Sequence, residues 1–82
     1  MTAFVTVRLY AAARAAADGM SEIAATPGKL ENILASLAIK NPRLSHVFAQ
    51  CSFLVDGVAA HDMHVEIAVG STIDVLPPFA GG

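Results

Sequence analysis

Cysteine is almost absent from this chain of 82 residues: Cys51 stands alone. A single thiol excludes an internal disulfide and any multi-cysteine metal site within one chain. Basic residues are also scarce. The five Lys and Arg are scattered and the formal charge is −2, so no basic patch points to nucleic acid or an anionic lipid surface. No apolar run approaches membrane-spanning length. The chain does not open on a basic segment followed by an apolar stretch, so neither a signal peptide nor a membrane partner is expected, and the expected location is cytoplasmic. A Gly-rich phosphate loop and a nucleophile elbow are missing too. What remains is one small domain, rich in apolar residues and poor in charge, with few residues left over to enclose an active site.

The chemistry-bearing side chains that are present do not assemble on paper. Cys51 opens an expected strand between Gln50 and Ser52, which offer none of the electropositive surroundings a reactive thiol needs; a buried strand cysteine is expected. His46, His61 and His64 read as surface loop histidines. A zinc site normally takes three or four protein ligands, so no metal is expected. Asp56, Asp62, Glu66 and Asp74 fall in turns or on an exposed strand face, and nothing pairs them into an acid/base set. The chain is not expected to be an enzyme by itself.

Hydrophobic periodicity lays out the elements. Residues 4–10 alternate, with Val5, Val7 and Leu9 on one side and Thr6, Arg8 and Tyr10 on the other, as in a half-buried strand. The alanine run 11–17 favours one or two helical turns ending at Asp18-Gly19, and 21–25 suits a short strand. Leu30, Ile33, Leu34 and Leu37 form one apolar stripe, the clearest helix, which runs over 30–39 and stops before Pro42. Its start has Gly28-Lys29 where a Ser, Thr, Asp or Asn cap would be expected. A further turn over 44–50 would contact the core through Leu44, Val47 and Phe48. Asp56-Gly57 between 52–55 and 58–60 is a hairpin signal, 65–67 has room for a short strand or turn, and 72–76 is the last strand. Ile73 and Val75 face one way; Thr72, Asp74 and Leu76 face the other. The order of elements implies an α+β fold, with a small mixed sheet covered on one face by one main helix. Tyr10 and Leu76, with Leu54 beside them, would then lie on the opposite face as an apolar partner patch.

The last strand runs directly into Pro77-Pro78-Phe79-Ala80-Gly81-Gly82. Glycine contributes no packing and loses the most freedom on folding, so a Gly-Gly end is a poor structural terminus. It is well suited to entering a narrow channel and presenting a carboxylate. The expected organisation is a domain over 1–78 and a flexible tail over 79–82.

Val5-Thr6-Val7-Arg8-Leu9-Tyr10-Ala11-Ala12-Ala13-Arg14, Leu54-Val55-Asp56-Gly57 and Asp74-Val75-Leu76-Pro77-Pro78-Phe79-Ala80-Gly81-Gly82 resemble, in that order, the small subunit of molybdopterin synthase. The resemblance implies the ubiquitin-like β-grasp fold, with a mixed sheet of four to five strands on one main helix. It also implies a sulfur carrier. The carboxylate of Gly82, preceded by Gly81, would be adenylated by a partner that uses ATP and magnesium, and converted to a thiocarboxylate. It would then donate sulfur to cyclic pyranopterin monophosphate in molybdenum cofactor biosynthesis. The chain itself would bind no cofactor. Tyr10, Leu76, Pro78 and Phe79 would contact the large subunit, which supplies the other catalytic groups in a heterotetramer of two small and two large subunits. An adenylating and sulfurating enzyme would be the second partner. Ala15, where relatives often carry Glu after the Arg14 position, is a local departure. Two alternatives share the Gly-Gly end: a β-grasp carrier serving thiamine or cysteine biosynthesis, and a ubiquitin-like protein modifier or interaction module. The Pro77-Pro78 pair and the length favour the molybdopterin branch.

Overall fold

In the computed structural model, residues 3–78 are described. The expected tail over 79–82, with Phe79, Gly81 and Gly82, lies outside them. The alternating segments become strands: β1 (Val5–Leu9), β2 (Glu22–Ala25), β4 (Ser52–Val55), β5 (Val58–Ala59) and β7 (Thr72–Leu76). They form a five-stranded sheet in the order β2-β1-β7-β4-β5. The first and last strands pair in parallel at its centre, with Val7 opposite Ile73 and Arg8 opposite Asp74, while the remaining pairs are antiparallel. Three helices, α1 (Ala11–Ala16), α2 (Leu30–Lys40) and α3 (Arg43–Phe48), complete the layer on one face.

Burial follows the pleat. Val5, Val7, Ile73 and Val75 are fully buried against Leu30, Ile33, Leu34 and Leu37 of α2. Leu44 and Phe48 extend this core from α3, and the Phe48 ring meets Phe53 of β4 edge-on, with centroids 6.3 Å apart. The expected contact Val47 packs only partly against it. Asn41, extended at φ −140° before Pro42, ends α2, and its side-chain amide donates to the Ala16 carbonyl at 2.7 Å, tying α1 to α2.

Three features depart from the sequence reading. A two-stranded ribbon, β3 (Gly28–Lys29) with β6 (Glu66–Ile67), fills the region where only a possible short strand was expected. That ribbon brings the 62–65 segment to the start of α2, where the Leu30 and Glu31 amides donate to the Val65 and Met63 carbonyls, both at 2.9 Å. The missing side-chain cap is thus replaced by backbone from a distant loop, which satisfies the same orphan amides. Ala11 takes a left-handed φ of 49°, although the alanine run suggests plain helix from its start. The chain leaves β1 with Tyr10 still extended and must reverse into α1 within one residue.

Candidate functional site

The strand β7 is the last element before the end of the described residues. Pairing with β4 ends at Leu76, which lies opposite Ser52. Pro77 and Pro78 follow and have no amide hydrogen to continue a ladder. Pro77 is buried and Pro78 is exposed. The strand therefore stops where the paired prolines begin.

On the sheet face away from α2, the parallel register sets Arg8 beside Asp74. The Arg8 Nε donates to Asp74 Oδ1 at 2.7 Å and its Nη2 to Oδ2 at 3.2 Å, a two-pronged ion pair. The Tyr10 hydroxyl donates to the same Oδ1 at 3.2 Å. Asp74 is only 8% exposed. This corrects the expectation of a solvated carboxylate: three donors make its burial tolerable. The hydrogen bond and the charge of Asp74 push the Arg8 guanidinium further above its already high ordinary range.

Around this polar centre lie the residues expected to meet a partner. Tyr10 is 38% exposed, and Leu76 and Leu54 are half-buried. Leu54 stands opposite Asp74 across the β4–β7 ladder, which places it on the same face as Leu76. The structure thus brings Tyr10, Leu54 and Leu76 to one surface at the root of the tail, with Pro78 just beyond. The sequence reading missed the Arg8–Asp74–Tyr10 cluster at its centre. Its signal was present, since opposite charges sit out of phase with the apolar residues on two strands, but only strand adjacency makes them partners.

A concavity lies beside the two prolines. Ala12, His46, Val47, Gln50, Pro77 and Pro78 line an open groove of about 300 Å³. His46 sits on α3 and not in a loop as expected. His61 and His64 do fall between strands, and His64 Nδ1 lies 3.1 Å from Glu31 Oε1. Cys51 immediately precedes β4, half-buried; its thiol donates to the Val47 carbonyl at 3.0 Å, and burial pushes its pKa up, away from the reactive range. Among the described residues, no three His, Cys, Asp or Glu side chains come together as metal ligands, and no helix is long and apolar enough to cross a membrane. Among the described residues, the arrangement is a half-exposed apolar and polar surface around the end of β7.

Comparison with known families matches residues 7–82 to the ThiS family. No curated protein sequence gives a significant match. Among solved structures, the small archaeal modifier protein 1 of Methanosarcina acetivorans is similar with a TM-score of 0.83 and 26% identity, over 100% of this chain and 99% of that one. The complex of subunits 1 and 2 of the molybdopterin-converting factor from Helicobacter pylori contains a chain similar with a TM-score of 0.72 and 18% identity, over 96% of this chain and 99% of that one. The BexX/CysO complex of Amycolatopsis orientalis contains another, with a TM-score of 0.81 and 18% identity, over 95% of this chain and 99% of that one. These neighbours establish the ubiquitin-like β-grasp fold for a five-stranded mixed sheet packed on one principal helix. With all but the first six residues matched, the chain belongs to the ThiS family of β-grasp sulfur carriers.

Proposed function

We propose that this protein is the sulfur carrier subunit of a molybdopterin synthase and that Gly82 is its reactive residue. The observation that carries the reading is the family match running through residue 82, so that it includes the whole Leu76-Pro77-Pro78-Phe79-Ala80-Gly81-Gly82 segment. A carboxylate is inert towards sulfur nucleophiles until activated. An adenylating partner using ATP and magnesium would convert the Gly82 carboxylate to an acyl-adenylate with loss of pyrophosphate. Sulfur from a donor then displaces AMP to leave a thiocarboxylate. Gly81 and Gly82, without side chains, let the activated carbonyl approach closely in a narrow pocket. The large subunit accepts the charged tail, and sulfur passes to cyclic pyranopterin monophosphate. Tyr10, Leu76, Pro78 and Phe79 contact that subunit, in an assembly of two small and two large chains, and no metal or cofactor is held by the carrier itself.

Deleting Gly82, or adding one residue after it, is expected to abolish sulfur transfer in a reconstituted synthase while leaving the fold unchanged by circular dichroism. Full activity in either variant overturns the carrier reading. Intact-mass analysis of protein made with its own partners should show one carboxyl oxygen replaced by sulfur.

A second reading is favoured by the 26% identity to a small archaeal modifier protein: the same terminus joined to target proteins. Isopeptide conjugates to lysines, in place of a thiocarboxylate pool, would favour it. A thiazole synthase or a cysteine synthase co-purifying in place of the large subunit would move the assignment to the thiamine or cysteine branch.

A further inference from the structure

The register of the main sheet sets one row of side chains across the face away from α2: Glu22, Arg8, Asp74, Leu54 and Ala59, each opposite the next. Residues opposite one another on neighbouring strands share a face. Tyr10, still extended after β1, and Leu76 lie two residues further along the same face. A partner resting on Tyr10, Leu54 and Leu76 therefore covers Asp74 and meets Arg8.

Asp74 is enclosed by its own donors, Arg8 Nε, Arg8 Nη2 and the Tyr10 hydroxyl. The groups around it are not saturated. A guanidinium has more N–H donors than the pair that Asp74 takes, and the rest of those on Arg8 have no acceptor among the described residues. The Arg8 side chain is 45% exposed. A carboxylate in an ion pair only accepts, so the Tyr10 hydroxyl gives its one hydrogen to Asp74 Oδ1 and keeps its own oxygen as an acceptor. Asp74 thus sets the polarity of the surface: donors at Arg8, an acceptor at Tyr10, and Leu54 and Leu76 beside them.

We propose that Arg8 is a specificity-determining residue of the carrier, and that it selects a large subunit presenting neutral amide groups, as exposed peptide or as Asn or Gln side chains, whose C=O accepts from Arg8 and whose N–H donates to Tyr10. The inference rests on the reading of this chain as a molybdopterin synthase carrier. Docking displaces the water that meets these groups in solution. An apolar side chain set against Arg8 would leave its donors without partners, which costs more than a hydrogen bond gains. A carboxylate fits less well than an amide, because Asp74 and Glu22 already flank this one cation. A lysine finds Asp74 only 8% exposed and occupied. The cluster therefore admits one polar pattern and rejects the others.

The test is titration of the full carrier chain with the large subunit by calorimetry, with the Arg8 side chain followed by nitrogen NMR. The Arg8 Nη protons are expected to become resolved and protected from exchange in the complex. Arg8→Met with Asp74→Leu replaces the pair by apolar residues, leaves no unpaired carboxylate and keeps the net charge, so the fold should persist. It should weaken binding roughly 10- to 100-fold. Tyr10→Phe keeps the ring and should weaken binding roughly 3- to 10-fold. The salt dependence of binding should be equal in the wild type and the double variant, because an amide brings no charge. A flatter dependence in the double variant means that Arg8 meets a carboxylate and overturns the proposal, as does wild-type affinity. Should the double variant not fold, Arg8→Lys reads the same contact: it keeps a charge for Asp74 but loses the planar fork, and unchanged affinity overturns the proposal. A wild-type carrier that does not bind the large subunit overturns the functional reading and this inference with it; binding that ignores Arg8 overturns the inference alone.

Discussion

The two faces of the central strands use alternate residues of the same short segments for opposite purposes. Towards α2, Val5, Val7, Ile73 and Val75 form a dry aliphatic layer with none of them exposed to solvent. Away from it, Arg8, Asp74 and Tyr10 form a hydrogen-bonded polar centre bordered by Leu54 and Leu76. Neighbouring residues in sequence thus differ in burial and in role. The first face holds the domain together; the second is cross-linked within itself, because Tyr10 and Arg8 share one carboxylate. A one-residue slip in β7 would exchange the faces.

The largest expected effect is on the inner face. Ile73→Ala removes a fully buried side chain from the centre of the sheet and should cost about 2–5 kcal/mol in urea unfolding, enough to endanger a domain of this size. The same truncation at half-buried Leu76 should cost distinctly less. Equal losses at the two positions would erase the distinction between the faces.

The outer face is tested next by Leu76→Asp. If the proposed function holds, it should weaken binding to a molybdopterin synthase large subunit by about 1–3 kcal/mol in titration calorimetry, through lost apolar contact and a desolvated charge, while the fold persists. Unchanged affinity would remove Leu76 from the partner surface.

A smaller effect sharpens the comparison at the junction between the faces. Ala11 holds a left-handed φ of 49°, where an L-residue is disfavoured by about 1 kcal/mol. Ala11→Gly is expected to raise stability by up to about 1 kcal/mol in the same unfolding assay, since glycine adopts that geometry without steric cost. A loss of stability would mean that the alanine methyl contributes packing that outweighs the strain.

The smallest effect concerns the β4–β5 turn. Asp56 is at φ 50° and Gly57 at φ 83°, as the hairpin requires, and Asp56 Oδ1 accepts from the Thr72 amide at 2.9 Å. That bond, with a further one from Ser71, holds the Asp56 carboxyl below its ordinary value of 3.8. A depressed folded value means that ionised Asp56 favours the folded state above the unfolded pKa, and that this contribution is lost as pH falls through the folded value. Asp56→Asn should therefore flatten the stability profile only in the acid limb, below about pH 4. A change confined to neutral pH would contradict the assignment.

Much of the fold was legible because it is written in short-range periodicity. The period-2 pattern of β1 and β7 and the apolar stripe of α2 are local properties, and the expected strand 72–76 and helix start at Leu30 coincide with the structure. The Asp56-Gly57 turn was legible for the same reason, since few residues accept its geometry. The β3–β6 ribbon was not, because two-residue strands have no period to detect. Nor was the capping of α2, whose amides are met by carbonyls from a loop far along the chain. Of the candidate surface, the phase that turns Arg8, Tyr10, Asp74 and Leu76 away from the core was legible, whereas the contact of Arg8 and Tyr10 with Asp74 was not, because it depends on β1 and β7 being neighbours.

The sequence by itself determined which residues face together along each strand, where the main helix lies, and that the chain runs from its last strand into two prolines and a pair of glycines. These are consequences of side-chain periodicity and of the φ limits of proline and glycine, and they act within a few residues. Only the tertiary structure decided that the first and last strands are neighbours. That parallel pairing joins residues 66 positions apart, buries Asp74 between Arg8 and Tyr10, and makes one surface of Tyr10, Leu54 and Leu76. No local preference encodes it. It follows from closing a single aliphatic core under α2, which requires Val7 and Ile73 to lie side by side.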